Sequence, residues 1–484
     1  MPFSNSYSHL GNAFYKRVLP TPVSTPALLL WNHSLAKSLQ LSDTLQNDRL
    51  LKAQYFSGNQ LPDGADSMAL AYSGHQFGHL NPQLGDGRAH LLGEVIDKNN
   101  KRLDIQLKGS GPTPFSRQGD GRCALGPAIR EYMMSEALYY LSVPTSRCLA
   151  VVTTGEPVYR ETAKPGAIVT RVASSHIRVG TFQYFAIRKD LTSLNLLLDY
   201  TIDRHYPELN QSTENKAIAL LKNVIEKQII LIVQWMRIGF IHGVMNTDNT
   251  AISGETIDFG PCAMMGAYHP GTVYSSIDKQ GRYAFGNQAN IALWNMTRLA
   301  ECLLPLINND EKTAISLVEP HLKQFTEQFE SAYFDMLANK LGLSDIEAND
   351  AVVIKQLLTL MQDNKLDYTQ TFTLLTQSLS DETIAESMKT ELGSWYQSWR
   401  EIVEKPNNNI NISKTLMKKN NPVVIPRNHH VEAVLTACEE NENSQAADDF
   451  LEVLRSPYTP LPNTKNYQDL PLDGDKGYRT FCGT

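Results

Sequence analysis

Apolar residues recur at helical spacing over 215–237 and stop at Gly239, which predicts a long amphipathic helix closed by a glycine cap. Upstream the period changes. Short apolar runs over 89–96 and 103–107 flank the turn Asp97-Lys98-Asn99-Asn100 and read as an antiparallel hairpin. Two further strands are predicted over 146–153 and 167–172, with a helix over 126–141 before them. That helix opens on Gly126-Pro127, with proline in the first turn, where its missing N–H is not needed. The first 65 residues mix turn formers with two amphipathic helices, 25–39 and 48–56, and carry no site chemistry of their own. Beyond 290 the pattern is helical over 291–306, 312–341, 344–363, 381–404 and 431–438, interrupted by Pro406-Asn407-Asn408-Asn409. The expected organisation is an extension (1–65), a strand-rich unit (66–190), a mixed core (191–290) and a helical region with a tail (291–484).

Composition narrows the function classes. A chain of 484 residues with 42% apolar and 20% charged residues can bury substantial cores. The net charge of −7, without a basic run, argues against nucleic-acid or membrane-surface binding. The first residues lack an apolar core of signal-peptide length, and the dense apolar run 229–233 is far too short to span a bilayer. Six cysteines stand without C-x-x-C spacing, so neither zinc nor a disulfide framework is expected from them, and a reduced, cytoplasmic setting is.

Candidate chemistry centres on residues 239–260, GFIHGVMNTDNTAISGETIDFG. Ser253-Gly254-Glu255 separates Ala251-Ile252 from Thr256-Ile257, and a small hairpin is expected there. Asn249 and Asp258 stand at its ends. Protein kinases hold magnesium with the Asn of H-R-D-x-x-x-x-N and the Asp of D-F-G. Here His242 and Asn249 keep that spacing, and Asp258-Phe259-Gly260 supplies the triplet. Both side chains offer the hard oxygens that Mg²⁺ requires beside phosphate. The position of the kinase base, however, is Val244, which cannot accept a proton. Asp248 is the only acid left in the loop.

Other kinase parts appear in chain order. Lys108 ends the strand Asp104-Ile105-Gln106-Leu107-Lys108, where a kinase lysine meets the nucleotide phosphates and a helix glutamate. The following helix offers Glu131 and Glu136, five apart and on different faces; Glu131, one turn from the helix start, is the expected partner and Glu136 the fallback. Gly85-Asp86-Gly87-Arg88 enters the first strand of the hairpin, with glycines that let backbone N–H groups approach a phosphate and an arginine fork beside them. A plain turn would look the same. The loop 109–126 adds Arg117, Asp120, Gly121 and Arg122, and could fold over a nucleotide. Arg171 and Arg178 follow, suited to neutralising phosphate charge or, equally, to a solvated surface. The fold class is therefore α+β, a protein-kinase-like bilobal fold with an N-terminal extension and a largely helical C-terminal region. Three functions fit it: a nucleotide-transferring enzyme, a conventional kinase, or an inactive nucleotide-binding scaffold.

The strings YSGHQFGHLNPQLGDGRAHLLGE, DIQLKGSGPTPFSRQGDGRCALGPAIREY, TRVASSHIRVGTFQ, HGVMNTDNTAISGETIDFGPCAMM and the closing CGT resemble the selenoprotein O family over most of residues 70–290 and the tail. The resemblance implies transfer of AMP from ATP to Ser, Thr or Tyr hydroxyls of proteins, self-modification included, with release of pyrophosphate and with ATP reversed in the cleft. It implies nucleotide binding by Gly85, Gly87, Arg88, Lys108, Asp120, Gly121, Arg171, Arg178 and Asp258, and Mg²⁺ or Mn²⁺ on Asn249 and Asp258. Asp248 would accept the proton. Uridylylation with manganese is linked to some members. The family's near-terminal selenocysteine corresponds to Cys482, associated with redox control through a disulfide to the activation segment, whose one cysteine is Cys262.

Overall fold

A computed structural model describes residues 3–343, 348–405, 409–441, 443–471 and 474–481. The N-terminal part runs β1 (Tyr15–Arg17), β2 (Ala27–Trp31), α1 (His33–Ser38), α2 (Asp43–Asn47), α3 (Arg49–Ser57) and β3 (Met68–Leu70). A small hairpin follows, β4 (Gly74–Gln76) and β5 (His79–Asn81), then β6 (Ala89–Ile96), β7 (Arg102–Lys108), β8 (Cys123–Ala124), α4 (Leu125–Tyr140), β9 (Arg147–Tyr159) and β10 (Ala163–Ala173). Seven strands form an antiparallel sheet in the order β1-β3-β6-β7-β10-β9-β2, and β8 pairs with β10 off that path.

The alternation of the strands decides what faces the cleft. On β7, Ile105 and Leu107 pack with Leu92, Val152, Ile168 and the helix residues Leu35, Ala53 and Phe56 on one face. Period two then sends Asp104, Gln106 and Lys108 to the other face. There α4 covers β9 and β10 with Ile129, Met133 and Ala137. The hairpin β6–β7 and the helix α4 form where the sequence predicts them. The helix expected over 25–39 does not: Ala27–Trp31 is a strand on the edge of β9, and only His33–Ser38 is helical. Buried Leu28 and Leu30 fit either period over so short a run, and the open edge of β9 decides. Asn32 then caps α1, its Oδ1 accepting from Leu35 N at 3.0 Å.

The second half is helical: α5 (Val179–Ala186), α6 (Leu191–His205) and α7 (Lys216–Ile238) precede the short pair β11 (Phe240–Ile241) and β12 (Ala263–Met264). Gly239 closes α7 in the left-handed conformation, φ 76°, as the pattern predicts. Then come α8 (Gln288–Ile307), α9 (Glu311–Leu341), α10 (Ala348–Asp363), α11 (Tyr368–Ser378), α12 (Glu382–Leu392), α13 (Ser394–Val403), α14 (Ile410–Asn420), α15 (Asn428–Asn441) and α16 (Gln445–Leu454). The helix predicted over 381–404 is two helices, broken at Gly393 with φ 59°. Residues 344–347, the predicted start of α10, lie outside the described residues, as do 406–408. Among the described residues no helix is long and apolar enough to cross a membrane.

Phe56 is fully buried between α3 and the sheet, so Phe56→Ala is expected to cost about 3–5 kcal/mol through lost transfer energy and a cavity. Chemical denaturation of the two proteins, compared at equal slope, measures it.

Candidate active site

The two lobes enclose a cleft of ≈ 700 Å³ lined by Gly85, Gly87, Arg88, Lys108, Asp120, Gly121, Arg171, Arg178, Asp248, Asn249 and Asp258. Every residue the sequence singled out for nucleotide or metal binding thus lines one cavity. Lys108 Nζ lies 2.6 Å from Glu131 Oε2 and 3.5 Å from Asp258 Oδ1. Arg171 Nε donates to the other oxygen of Glu131, and its Nη2 is 3.8 Å from Asp258 Oδ1. Glu131 is therefore shared by cations on neighbouring strands, β7 and β10. The fallback Glu136 points elsewhere and accepts two hydrogen bonds from Arg147, each of 2.7 Å. Five residues turn a helix by roughly 140°, so the two glutamates cannot serve one partner.

Burial opposes the charged form of Glu131, but Arg171 and Lys108 outweigh it and hold its pKa down at about 2. The same contest at Asp258 ends further down: burial raises the pKa, and Lys108, Arg171 and Arg88 pull it well below the usual carboxylate range. Asp248 goes the other way. Burial lifts it to about 6, with the charge of Asp258 adding to the rise, and its Oδ1 has no hydrogen-bond partner among the described residues.

His242 explains how the loop is held. Its ring stacks on Trp235 with centroids 5.1 Å apart, and Nε2 lies 2.9 Å from the carbonyl of Ile257. That contact makes Nε2 the donor and fixes the backbone just before Asp258. Asp258 itself has φ 66°, a left-handed conformation costly for a side chain with a Cβ and concentrated at functional sites. Asn249 Nδ2 donates to Val244 O at 3.1 Å, leaving Oδ1 as its remaining acceptor on the cleft wall. A neutral amide oxygen and a carboxylate that stays ionised are hard donors, and they fit Mg²⁺ or Mn²⁺.

The hairpin expected between 251 and 257 does not form. Ala251 bridges to Arg178 and Thr256 to Thr145, so its two arms pair with different strands of chain. The turn survives: Gly254 has φ 75°, and a Cβ there would stand 2.7 Å from Lys227 on α7. Tertiary pairing thus overrides the local hairpin signal.

The glycine loop is shaped by what packs under it. A Cβ on Gly85 would meet the Phe115 ring at 2.4 Å, and one on Gly121 the backbone of Gly111 at 2.1 Å. Asp86 between the glycines is buried and accepts from Gln106 Nε2 at 3.0 Å and Leu70 N at 3.2 Å. Asp120 stands at the rim, paired with Arg160 at 2.8 Å, and Arg122 donates to Thr21 O at 3.1 Å. Arg178 lies 4.2 Å over the Tyr72 ring.

Sequence reasoning missed Arg160, Asp86, Tyr72 and the β4–β5 hairpin. The hairpin docks on the loop before Asn249: His75 N donates to Thr247 Oγ1 at 2.7 Å and Phe77 N to Asn246 Oδ1 at 3.0 Å. Asp86 had a signal, lying inside the quoted Gly-Asp-Gly. The hairpin's partners are too distant in sequence to leave one.

Cys262 is buried, its thiol pushed up to about 12 by that burial, and Cys482 lies outside the described residues. The tail nevertheless reaches the same segment, with Thr480 Oγ1 donating to Pro261 O at 2.7 Å. Arg130, beside Glu131 on α4, donates to Cys262 O at 2.7 Å, to the Tyr478 hydroxyl at 3.1 Å and to Glu432 at 2.8 Å.

A strand lysine paired with a helix glutamate, above a loop carrying Asn249 and Asp258, defines a kinase-like protein with a nucleotide-sized, cation-rich cleft. A family model described as "Protein adenylyltransferase SelO" matches residues 1–455. "Protein nucleotidyltransferase YdiU" of Teredinibacter turnerae is 51% identical over 485 residues, covering 100% of both chains. The protein of that name from Bacillus thuringiensis subsp. konkukian is 52% identical, over 99% of this chain and 98% of its own. The chain belongs to the SelO family and is a nucleotidyltransferase. Among solved structures, ROP2 from Toxoplasma gondii, a virulence factor with a protein-kinase fold and no enzymatic activity, overlaps at a TM-score of 0.23 and 10% identity. That likeness covers 68% of this chain and 87% of that one, and its overlap is too low to bear on function.

Glu131→Gln would leave two buried cations without their counter-charge, at an expected cost of about 3–5 kcal/mol. Because the folded-state pKa lies below the ordinary 4.5, the stabilisation is full above pH 4.5 and lost as pH falls toward 2. Acid unfolding followed by circular dichroism is expected to show a flatter dependence over that window in the variant.

Proposed function

We propose that the chain moves AMP from ATP to Ser, Thr or Tyr hydroxyls of proteins, itself among them, in the cytoplasm. The observation that carries this reading is the loop chemistry: valine at the kinase base position, and Asp248, buried and lifted in pKa, lining the cleft beside the candidate metal ligand Asn249. The description of the matching family model as a protein adenylyltransferase, and the naming of the relatives as protein nucleotidyltransferases, support it.

In this reading the acceptor hydroxyl gives its proton to Asp248 as its oxygen bonds to the α-phosphorus. The bond from that phosphorus to the bridging oxygen breaks, and pyrophosphate leaves. ATP lies reversed relative to a kinase, so that the α-phosphoryl faces Asp248. Lys108, Arg171, Arg178 and Arg88 neutralise phosphate charge, and Gly85, Gly87 and Gly121 allow close backbone approach. Asp120 holds Arg160 at the rim in position to meet the nucleotide. Mg²⁺ or Mn²⁺ on Asn249 and Asp258 would supply charge neutralisation at the phosphates. UTP with Mn²⁺ is a second donor for the same cleft. Redox control would pair Cys482 with Cys262, whose segment the tail reaches through Thr480 and Pro261 but whose thiol is buried.

Incubation with ATP labelled at the α- or the γ-phosphorus, with Mg²⁺ or Mn²⁺, tests the reading. Covalent α-label is expected; γ-label alone would make the chain a conventional kinase, and no label a scaffold. Asp258→Ala is expected to reduce labelling to background.

The pH dependence follows from Asp248, which must be ionised to accept a proton. Transfer should rise as pH passes through about 6 and level off above it. In Asp248→Asn the rate should fall by about 10²–10⁴-fold with nucleotide affinity kept. An unchanged rate and profile would remove Asp248 from the chemistry.

A further inference from the structure

Away from the cleft, His429, His430 and Asp469 bring one ligand atom each to within 4.8 Å of one another. The histidines lie at the start of α15, and Asp469 follows a short 3-10 turn at Thr464–Tyr467. His430 Nε2 is 2.7 Å from Asp469 Oδ1, and His429 Nε2 is 3.4 Å from Oδ2. Two imidazoles therefore address the two oxygens of one carboxylate, where an ordinary hydrogen-bonded pair needs one.

His429 carries the argument further. Its Nδ1, shielded from solvent, makes no hydrogen bond among the described residues, and its equally shielded Nε2 has only the long 3.4 Å contact with Asp469. A shielded polar atom without a partner pays its desolvation with no return, and such atoms in folded proteins call for a cause. A cation between the rings and the carboxylate supplies one. Ligands of a tetrahedral zinc at about 2.0–2.2 Å stand roughly 3.3–3.6 Å apart, close to the separation of His429 and Asp469. The His430 ring is held by Tyr467 and Phe450, with centroids at 5.3 and 6.0 Å, so its orientation is set before any ion arrives. Arg427, whose charge works against positive charge on His430, is itself paired with Asp367 through bonds of 2.9 and 3.0 Å.

We propose that His429, His430 and Asp469 form a second cation site, selective for zinc or a similar late first-row dication over magnesium. Two imidazoles and one carboxylate are the donors such ions prefer, with water completing the shell. The site has a structural consequence. Asn428, the preceding residue, grips Met264 of β12 at both its N–H and its carbonyl, at 2.9 and 2.8 Å. An ion at this position fastens the C-terminal segment to the helix that holds the strand after Asp-Phe-Gly.

Zinc titration of the full chain by calorimetry, in excess Mg²⁺ and without nucleotide, tests the site. One zinc per chain is expected, and the same in Asp258→Ala, which removes the cleft's carboxylate. Asp469 is exposed, so Asp469→Asn keeps the fold; it should weaken zinc binding by about 100-fold or more, since outer-shell partners alone are worth about 10–100-fold. The double variant His429→Ala/His430→Ala should bind none. The proposal is overturned if the wild-type chain takes up no zinc, if Asp469→Asn binds as tightly as wild type, or if Mg²⁺ displaces the ion.

Discussion

One buried carboxylate holds the cleft together. Glu131 lies between Lys108 and Arg171, which project from adjacent strands of the same sheet, and all three are almost wholly buried. Each charge alone would be expensive to take out of water; shared, the three tie α4 to both strands at a fixed height. The arrangement also leaves a net positive charge beside Asp258. That surplus favours the ionised form of Asp258.

The loop below is built by contrast from neutral contacts. His242, stacked on Trp235, anchors the carbonyl of Ile257; Asn246 receives the Tyr283 hydroxyl at 2.6 Å and the backbone of Phe77. These groups hold the backbone without adding charge. Two carboxylates in one cavity therefore have opposite fates: three cations hold the pKa of Asp258 down, while burial lifts that of Asp248 to about 6. The difference comes from neighbours, because the side chains are chemically identical.

Much of this was legible in the chain. Strand alternation around Lys108, the helix opening at Gly126-Pro127, the Gly239 cap and the spacing of His242 to Asn249 are local signals, and the structure follows them. The choice of Glu131 over Glu136 needed only the helical pitch. Elsewhere distant partners decided. Ala27–Trp31 became a strand because β9 offered an edge, and residues 251 and 256 paired with the segments just before α5 and β9 rather than with each other. Arg160 was invisible as a cleft residue because Asp120, which orients it, lies 40 residues earlier in the chain. The roles of these residues in catalysis are a matter of chemistry that neither spacing nor geometry performs on its own.

Arg130 and Glu131 are consecutive on α4, and a helix turns about 100° between consecutive side chains. One faces the nucleotide-sized cavity; the other clasps Cys262, Glu432 and Tyr478 near the chain's end. The helix thus carries charged contacts on two of its faces. The ion pairs of the cleft and the turn around Tyr478 therefore share one rigid rod, fixed in height relative to each other by a single residue's rise.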